Sequence, residues 1–199
     1  MTKRVGIFSG TFDPVHSGHI QFAKSAIVRC GLDKVFFLVE PRPRRKQGVK
    51  ALEHRLAMVR LAVKDEPALG TIILEQDRFT PHETMPLLKA RFVDAELHML
   101  MGDDMLLHLG DWPHVDTLLK NSRFIVGVRT DEEAARNRLH TIERTRGLKF
   151  DHLIFKSAQP QVSSSKIRAG LRKGELPEAV PVAVQKYIRR HGLYSPTDE

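Results

Sequence analysis

The stretch VGIFSGTFDPVHSGH at residues 5–19 decides how this chain folds. Its apolar start, Val5–Phe8, predicts a short buried strand that ends in a glycine-containing loop. His16 and His19 then open an amphipathic pattern that predicts a helix over about residues 17–30. A strand that passes through a loop into a helix presents free backbone N–H groups and the positive end of a helix dipole. Because residues three apart share a helical face, both imidazoles can contact one phosphate.

A second helix start that suits a phosphate lies far along the chain. The sequence VSSSKIR at residues 162–168 combines three serines with two cations, Lys166 and Arg168, within about one helical turn. Serine favours the N-cap of a helix, where its hydroxyl accepts a backbone N–H. Two such helix starts at opposite ends of one chain indicate a nucleotide held between them.

The rest of the chain alternates between apolar and amphipathic runs. Strands are predicted at about 4–9, 34–39, 71–75, 96–101, 123–128 and 152–156. Helices are predicted at about 17–30, 53–64, 85–91, 103–108, 115–121, 131–146, from 165 to Gly174, and 178–191. This alternation predicts α/β architecture with a doubly wound parallel sheet and a small C-terminal helical appendage.

The predicted topology also indicates where a ligand binds. Ligands of doubly wound sheets lie outside the carboxyl ends of the strands, so both motifs and the Gly102–Asp104 segment are expected on one rim. We expect one domain over residues 1–199, with the helical part at about 161–199 completing the phosphate site.

Composition indicates an ordinary globular protein. The 199 residues are 41% hydrophobic and 28% charged. No apolar run approaches the roughly 20 residues of a membrane helix, and the N-terminal run is too short for a signal peptide. Cys30 is the sole cysteine, so no disulfide framework is expected. We therefore expect a cytoplasmic protein without a membrane partner.

The formal net charge of +8 suggests an anionic partner. The cations fall in three separate places, around residues 42–46, 136–138 and 166–173. Base-stacking aromatic residues are not interleaved with them. This pattern favours a small polyphosphate over a nucleic acid, and we expect no specific nucleic-acid partner.

The two histidines also allow a zinc interpretation, which requires a third ligand. Only Asp13 lies nearby, so we predict no metal site built by the protein. A phosphate ligand fits these residues better, because each imidazole, neutral or protonated, offers an N–H to a phosphate oxygen.

These motifs carry a family resemblance. Residues 10–19 resemble the T/HxGH signature of the nucleotidylyltransferases, and residues 163–168 resemble their ISSTxIR signature. The chain most resembles bacterial nicotinate mononucleotide adenylyltransferases, nearly end to end. The further matches are to their IGxD segment, tryptophan, arginine-ending strand and YIxxxxLY ending, at Met101–Asp104, Trp112, Phe124–Arg129 and Tyr187–Tyr194.

The resemblance implies a Rossmann-like nucleotidyltransferase fold and transfer of AMP from ATP to nicotinate mononucleotide. The products would be deamido-NAD and pyrophosphate, with Mg²⁺ as cofactor. It implies that the catalytic residues are His16, His19 and Arg168. The implied ATP-binding residues are Ser9, Gly10, Thr11, Phe12, His16, His19, Gly102, Asp104, Ser163, Ser165 and Arg168. The implied acceptor-binding residues are Lys46, Arg55, Glu83, Thr84, Trp112 and Arg129.

Structural roles remain open for some of these residues. Asp104 could simply stabilise a helix N-terminus, and we expect this structural position for its neighbour Asp103 rather than for Asp104. Trp112 could belong to the core, and Arg129 could be a solvated surface residue.

Two loops depart from the family pattern. Relatives have a PPHK/R-type loop after the second strand, whereas residues 41–46 read PRPRRK, where Arg45 or Lys46 could still hold phosphate. Relatives also have a PSYT-like loop that contacts the nicotinate carboxylate, whereas residues 81–84 read PHET. Glu83 would repel that carboxylate unless it points away, which is the orientation we expect.

Other functions therefore stay open. The same transfer could use nicotinamide mononucleotide or another small phosphate acceptor such as phosphopantetheine, although the chain length and Trp112 disfavour the latter. A non-catalytic nucleotide-binding regulatory module is the alternative from a different class, and the intact histidines and Arg168 argue against it. A homo-oligomer is also left open.

Overall fold

The computed structural model describes residues 2–43, 46–175 and 177–196. Among these residues, six parallel strands form one sheet in the order β3-β2-β1-β4-β5-β6. The strands are β1 (Arg4–Gly10), β2 (Lys34–Val39), β3 (Leu69–Ile73), β4 (Glu96–Gly102), β5 (Arg123–Val128) and β6 (His152–Lys156). The chain winds outward in both directions from the adjacent β1 and β4, which confirms the predicted doubly wound sheet.

Eight helices of the described chain join these strands. They are α1 (Ser17–Cys30), α2 (Leu52–Val63), α3 (Pro81–Arg91), α4 (Asp103–Leu109), α5 (Val115–Asn121), α6 (Glu132–Arg146), α7 (Ser164–Arg172) and α8 (Val182–Arg190). None of them is long and apolar enough to span a bilayer.

Two hydrophobic clusters cover the two faces of the sheet. In β1, Phe8 belongs to the cluster that includes α1 and α2, whereas Ile7 belongs to the cluster that includes α4, α5 and α6. Successive side chains of a strand point to opposite faces, so a sheet covered on both sides needs the continuous apolar runs seen in this sequence. Val184 and Ile188 of α8 join the first cluster, so the C-terminal helical part packs into the same core.

The start of α3 differs from the prediction. The helix begins at Pro81, not near residue 85. Proline suits the first helical position, and Thr80 followed three residues later by Glu83 is a sequence pattern of helix starts. The Thr80 hydroxyl donates to Glu83 Oε2 at 2.5 Å, which closes the first turn.

Candidate active site

A cavity of about 750 Å³ opens at the carboxyl ends of β1, β4 and β5. Most of the predicted site residues line it: Ser9, Gly10, Thr11, Phe12, His16, His19, Lys46, Gly102, Asp104, Trp112, Arg129, Ser163, Ser165 and Arg168. Among the described residues predicted for the site, three lie elsewhere, namely Arg55, Glu83 and Thr84. The sheet topology thus brings both phosphate motifs to one place.

An aromatic ring anchors the loop after β1. Phe12 has a φ of 51°, which is unusual for a residue other than glycine. Its ring is buried against Phe8 and Phe37, with centroid distances of 5.3 and 5.2 Å. This packing holds the backbone of the loop at the cavity wall.

The two histidines stand at the first turn of α1. His16 is the N-cap, and its ring stacks on that of His19 with a centroid distance of 3.7 Å. A Cβ atom on Gly18 would lie 3.0 Å from His16 Nδ1, so glycine leaves room for this arrangement. His19 Nδ1 accepts the backbone N–H of His16 at 3.2 Å. In the neutral ring this bond places the proton on Nε2, which is then a donor for phosphate.

Both histidines are held in the neutral form at pH 7. Burial, with the charge of Arg129 as a smaller cause, lowers the pKa of His16 to about 4. Burial also lowers the pKa of His19 below its ordinary value, and the charges of His16, Lys46 and Arg129 add to this effect. The pair therefore offers N–H donors to a phosphate, while the arginines supply the positive charge.

The second motif is hydrogen-bonded directly to the first. Ser163 is the N-cap of α7, and its Oγ accepts the backbone N–H of Lys166. Ser164 Oγ donates to the Pro14 carbonyl at 2.9 Å, and Arg168 Nη1 donates to the Asp13 carbonyl at 2.7 Å. The two helix starts thus form one site, although about 150 residues separate them.

Asp13 is a connecting residue that the sequence analysis considered only as a metal ligand. Its carboxylate is 3% exposed, and Oδ1 accepts the hydroxyl of Tyr194 at 2.6 Å. Burial, followed by the negative charge of Asp13, raises the pKa of Tyr194, so the phenol stays a donor. The C-terminal segment therefore fixes the same loop that Arg168 of α7 contacts.

Asp103, for which a helix N-terminal position was expected, stands in the first turn of α4 and also contacts Arg129. Its carboxylate accepts both the backbone N–H and the Nε–H of Arg129, at 2.9 and 3.1 Å. Asp104 lies at the cavity wall and is 3.5 Å from Arg129 Nη2. Arg129 is thus held at the site by a carboxylate that does not itself line the cavity.

Trp112 both packs against the protein core and borders the cavity. It is half-buried, it packs against Phe79 with a centroid distance of 6.1 Å, and it lines the cavity. Phe79, Met105 and His108 also line the cavity, and no motif or spacing in the sequence marks them. On the basic loop, Lys46 lines the cavity, whereas Arg44 and Arg45 lie outside the described residues.

Arg55 does not have the position expected of an acceptor ligand. It is 1% exposed, and its guanidinium donates to four backbone carbonyls. The acceptors, at 2.7 to 2.9 Å, belong to Thr11, Glu40, Pro41 and Lys50. These bonds tie the loop after β1 to the loop after β2, which argues against a direct contact with substrate.

Replacing Arg55 should therefore destabilise the protein. Arg55→Met removes the buried guanidinium that donates to these four carbonyls, which we expect to cost about 3 kcal/mol, or a fall of roughly 9 °C in Tm. Thermal unfolding followed by circular dichroism measures this loss. The exposed Arg60 of the same helix gives the control Arg60→Met, which should change Tm by no more than about 2 °C. Equal Tm values for both variants would contradict the role of Arg55.

Glu83 and Thr84, which were predicted to bind the acceptor, lie in the first turn of α3 and outside the lining of the cavity. Thr84 is fully buried, its Oγ1 accepts the backbone N–H of Thr80, and its own N–H donates to the Thr80 carbonyl. Glu83 lies beside Thr80 with its side chain 51% exposed. Both side chains close the first turn of α3, and Glu83 lies outside the lining of the cavity.

A doubly wound sheet with two linked phosphate-type helix starts at its switch point defines an α/β nucleotide-binding protein. Comparison with known proteins makes this more specific. A model of the cytidylyltransferase-like family matches residues 7–170. The nicotinate-nucleotide adenylyltransferase of Bacillus subtilis is 33% identical over 198 residues, covering 96% of this chain and 98% of that protein.

Two further comparisons agree. A probable nicotinate-nucleotide adenylyltransferase of Neisseria gonorrhoeae is 32% identical, with 96% of this chain and 98% of that protein covered. Nicotinic acid mononucleotide adenylyltransferase of Plasmodium falciparum, solved in complex with NaAD, has the same fold. Its TM-score is 0.77 at 16% identity, with 96% of this chain and 97% of that chain covered. The chain therefore belongs to the cytidylyltransferase-like family and is a nucleotidyltransferase of the nicotinate-nucleotide adenylyltransferase type.

Proposed function

We propose that this enzyme transfers AMP from ATP to nicotinate mononucleotide, giving deamido-NAD and pyrophosphate. The observation that carries the proposal is the direct bonding of the α7 start to the His16–His19 loop around one cavity. The names of the relatives from Bacillus and Neisseria support the same reaction. A cytoplasmic location fits the single, unpaired cysteine.

In this reaction the protein mainly positions the two substrates. A phosphate oxygen of the acceptor attacks the α-phosphorus in line, and the bond from that phosphorus to the bridging oxygen breaks. The electron pair leaves with pyrophosphate, so no covalent intermediate with the enzyme is needed. We propose that His16 and His19 donate N–H bonds to oxygens that gain charge in the transition state, and that Arg168 binds the departing phosphates.

The residues also fit a magnesium ion that enters with ATP. The described chain contains no cluster of three or more carboxylate, histidine or cysteine side chains that could hold a metal alone. Mg²⁺ commonly binds one or two carboxylates together with substrate phosphates. The Asp104 side chain is 63% exposed at the cavity wall and is the carboxylate we assign to it. When bound, the ion would neutralise charge on pyrophosphate.

The lining of the cavity suits a ligand that carries a flat ring and an anion. Trp112, Phe79 and Met105 provide an apolar wall, and Lys46 and Arg129 provide positive charge. A pyridine mononucleotide satisfies both features. The test is a panel of nicotinate mononucleotide, nicotinamide mononucleotide and phosphopantetheine, with pyrophosphate release measured for each. Release with none of them, despite ATP binding, would support the regulatory module instead.

Glu83 provides a direct test of how the acceptor is recognised. Because its side chain accepts the Thr80 hydroxyl and does not line the cavity, Glu83→Gln should change kcat/KM for the acid mononucleotide by less than about threefold. The ratio of the acid to the amide substrate should also stay constant. Steady-state kinetics with both mononucleotides measures this. A wild-type preference for the amide that disappears in Glu83→Gln would place the side chain at the substrate and overturn the acid assignment.

A further inference from the structure

We propose that Asp103 is a positioning residue that orients Arg129 toward the acceptor phosphate at the reaction centre. This inference rests on the proposed adenylyl transfer and goes further, since it assigns a role to a carboxylate outside the cavity wall. It concerns three residues, Asp103, Asp104 and Arg129, which meet where β4 and β5 end side by side.

The contacts fix Arg129 through both its backbone and its side chain. Asp103 Oδ2 accepts the Arg129 backbone N–H at 2.9 Å, while Oδ1 lies 3.1 Å from both Nε and Nη2. One carboxylate therefore sets the end of β5 and the direction of the guanidinium together. The Nη1 group takes part in none of these contacts and is free to meet a substrate oxygen.

The carboxylate of Asp103 is itself held in place. Asp103 is the first residue of α4, and its Oδ1 accepts the backbone N–H of Asp104 at 3.0 Å. The side chains of Asp103 and Arg129 are 24% and 35% exposed, so solvent only partly screens the pair. A carboxylate at a helix N-terminus is also favoured by the helix dipole. The pair is thus more rigid than an ordinary surface ion pair.

Arg129 lies beside the groups that surround the reacting phosphates. It lines the cavity together with His16 and His19, and its charge contributes to the lowered pKa of both histidines. A guanidinium at this place can bind the acceptor phosphate while the histidines contact the α-phosphate. Its orientation then decides whether the acceptor oxygen reaches the α-phosphorus in line.

The two neighbouring aspartates have different tasks. Asp104 is 63% exposed, lines the cavity and touches only Nη2 of Arg129, at 3.5 Å. Asp103 makes the shorter contacts from behind the cavity wall. Asp104 is therefore available to the nucleotide or its magnesium ion, whereas Asp103 is committed to Arg129.

The kinetic test uses Asp103→Asn, which keeps the size of the side chain and removes its charge. We expect the KM for the acceptor to rise about tenfold and the KM for ATP to change less than about twofold. The matched control is Asp151→Asn, which breaks a 3.2 Å pair with Arg123 at the opposite end of the sheet. It should leave both KM values unchanged. Arg129→Lys keeps the charge without the planar fork and should resemble Asp103→Asn.

A double-mutant cycle tests whether Asp103 acts through Arg129. In the Arg129→Ala background, Asp103→Asn should have no further effect on kcat/KM for the acceptor. Additive effects, or equal increases in the KM of ATP and acceptor, would overturn the proposal and assign Asp103 a general structural role. The measurements use whichever acceptor the wild-type enzyme turns over, so a wrong acceptor does not obscure this result.

A second measurement needs no substrate. In ¹⁵N-labelled protein the Nε–H of Arg129, bonded to Asp103 Oδ1, should exchange slowly with water, and Asp103→Asn should accelerate that exchange at least tenfold. Unchanged exchange would overturn the proposed contact. Absence of pyrophosphate release from the wild type, with slow Nε–H exchange intact, would instead count against the proposed function alone.

Discussion

His19→Ala should lower kcat by about 100-fold or more while the protein stays folded. The Nδ1 atom of His19 accepts a backbone N–H, which leaves Nε2–H as a donor fixed in direction before the substrate binds. A donor held in this way stabilises charge that develops only in the transition state, so its loss reduces kcat more than it raises KM. Pyrophosphate release under saturating ATP and acceptor measures the effect.

Two further variants test whether the expected loss of activity comes from the missing N–H donor of His19. His19→Gln carries an N–H at a similar reach and should retain more activity than His19→Ala. His140→Ala removes an exposed imidazole from α6 and should leave kcat within about twofold of the wild type. Near-normal turnover in folded His19→Ala would remove His19 from the catalytic machinery.

The parts of the fold that the sequence predicted well have strong local signals. The amphipathic pattern predicts α1 with its observed bounds, and the structure ends this helix at Gly31, which adopts a left-handed φ of 61°. Helix α3 was placed four residues late. It contains Pro86, and its amphipathic pattern is weak. Its actual start at Pro81 depends on the Thr80–Glu83 contact, and the motif comparison assigned Glu83 to the substrate.

In the site, too, the features that depend on neighbouring residues were predictable from the sequence, whereas those that depend on distant partners were not. The two phosphate motifs are contiguous segments, and their composition alone indicates an anion at a helix start. The roles of Arg55 and Asp13 depend on partners far along the chain, since Asp13 and Tyr194 are 181 positions apart. The spacing of residues in the sequence does not reveal contacts between positions so far apart. A buried arginine bonded to carbonyls and an arginine facing a substrate have the same appearance in a sequence.

Arg168→Ala should reduce kcat/KM for ATP by about 30-fold or more, the equivalent of about 2 kcal/mol. The Nη1 group of Arg168 donates to the Asp13 carbonyl, and the side chain lines the cavity beside Ser165. A guanidinium fixed at this position binds the phosphates of ATP in both the ground state and the transition state, so the KM for ATP should rise as kcat falls. Initial rates over a range of ATP concentrations separate the two constants.

The matched control for Arg168 is Lys173→Ala, because Lys173 is an exposed cation at the other end of the same helix. It removes the same net charge, so any loss that both variants share comes from the long-range field of this basic protein. We expect Lys173→Ala to change kcat/KM by less than about twofold, and Arg168→Lys to recover only part of the loss, since an ammonium cannot reproduce the fork. Equal losses in Arg168→Ala and Lys173→Ala would mean that Arg168 contributes general positive charge and makes no specific phosphate contact.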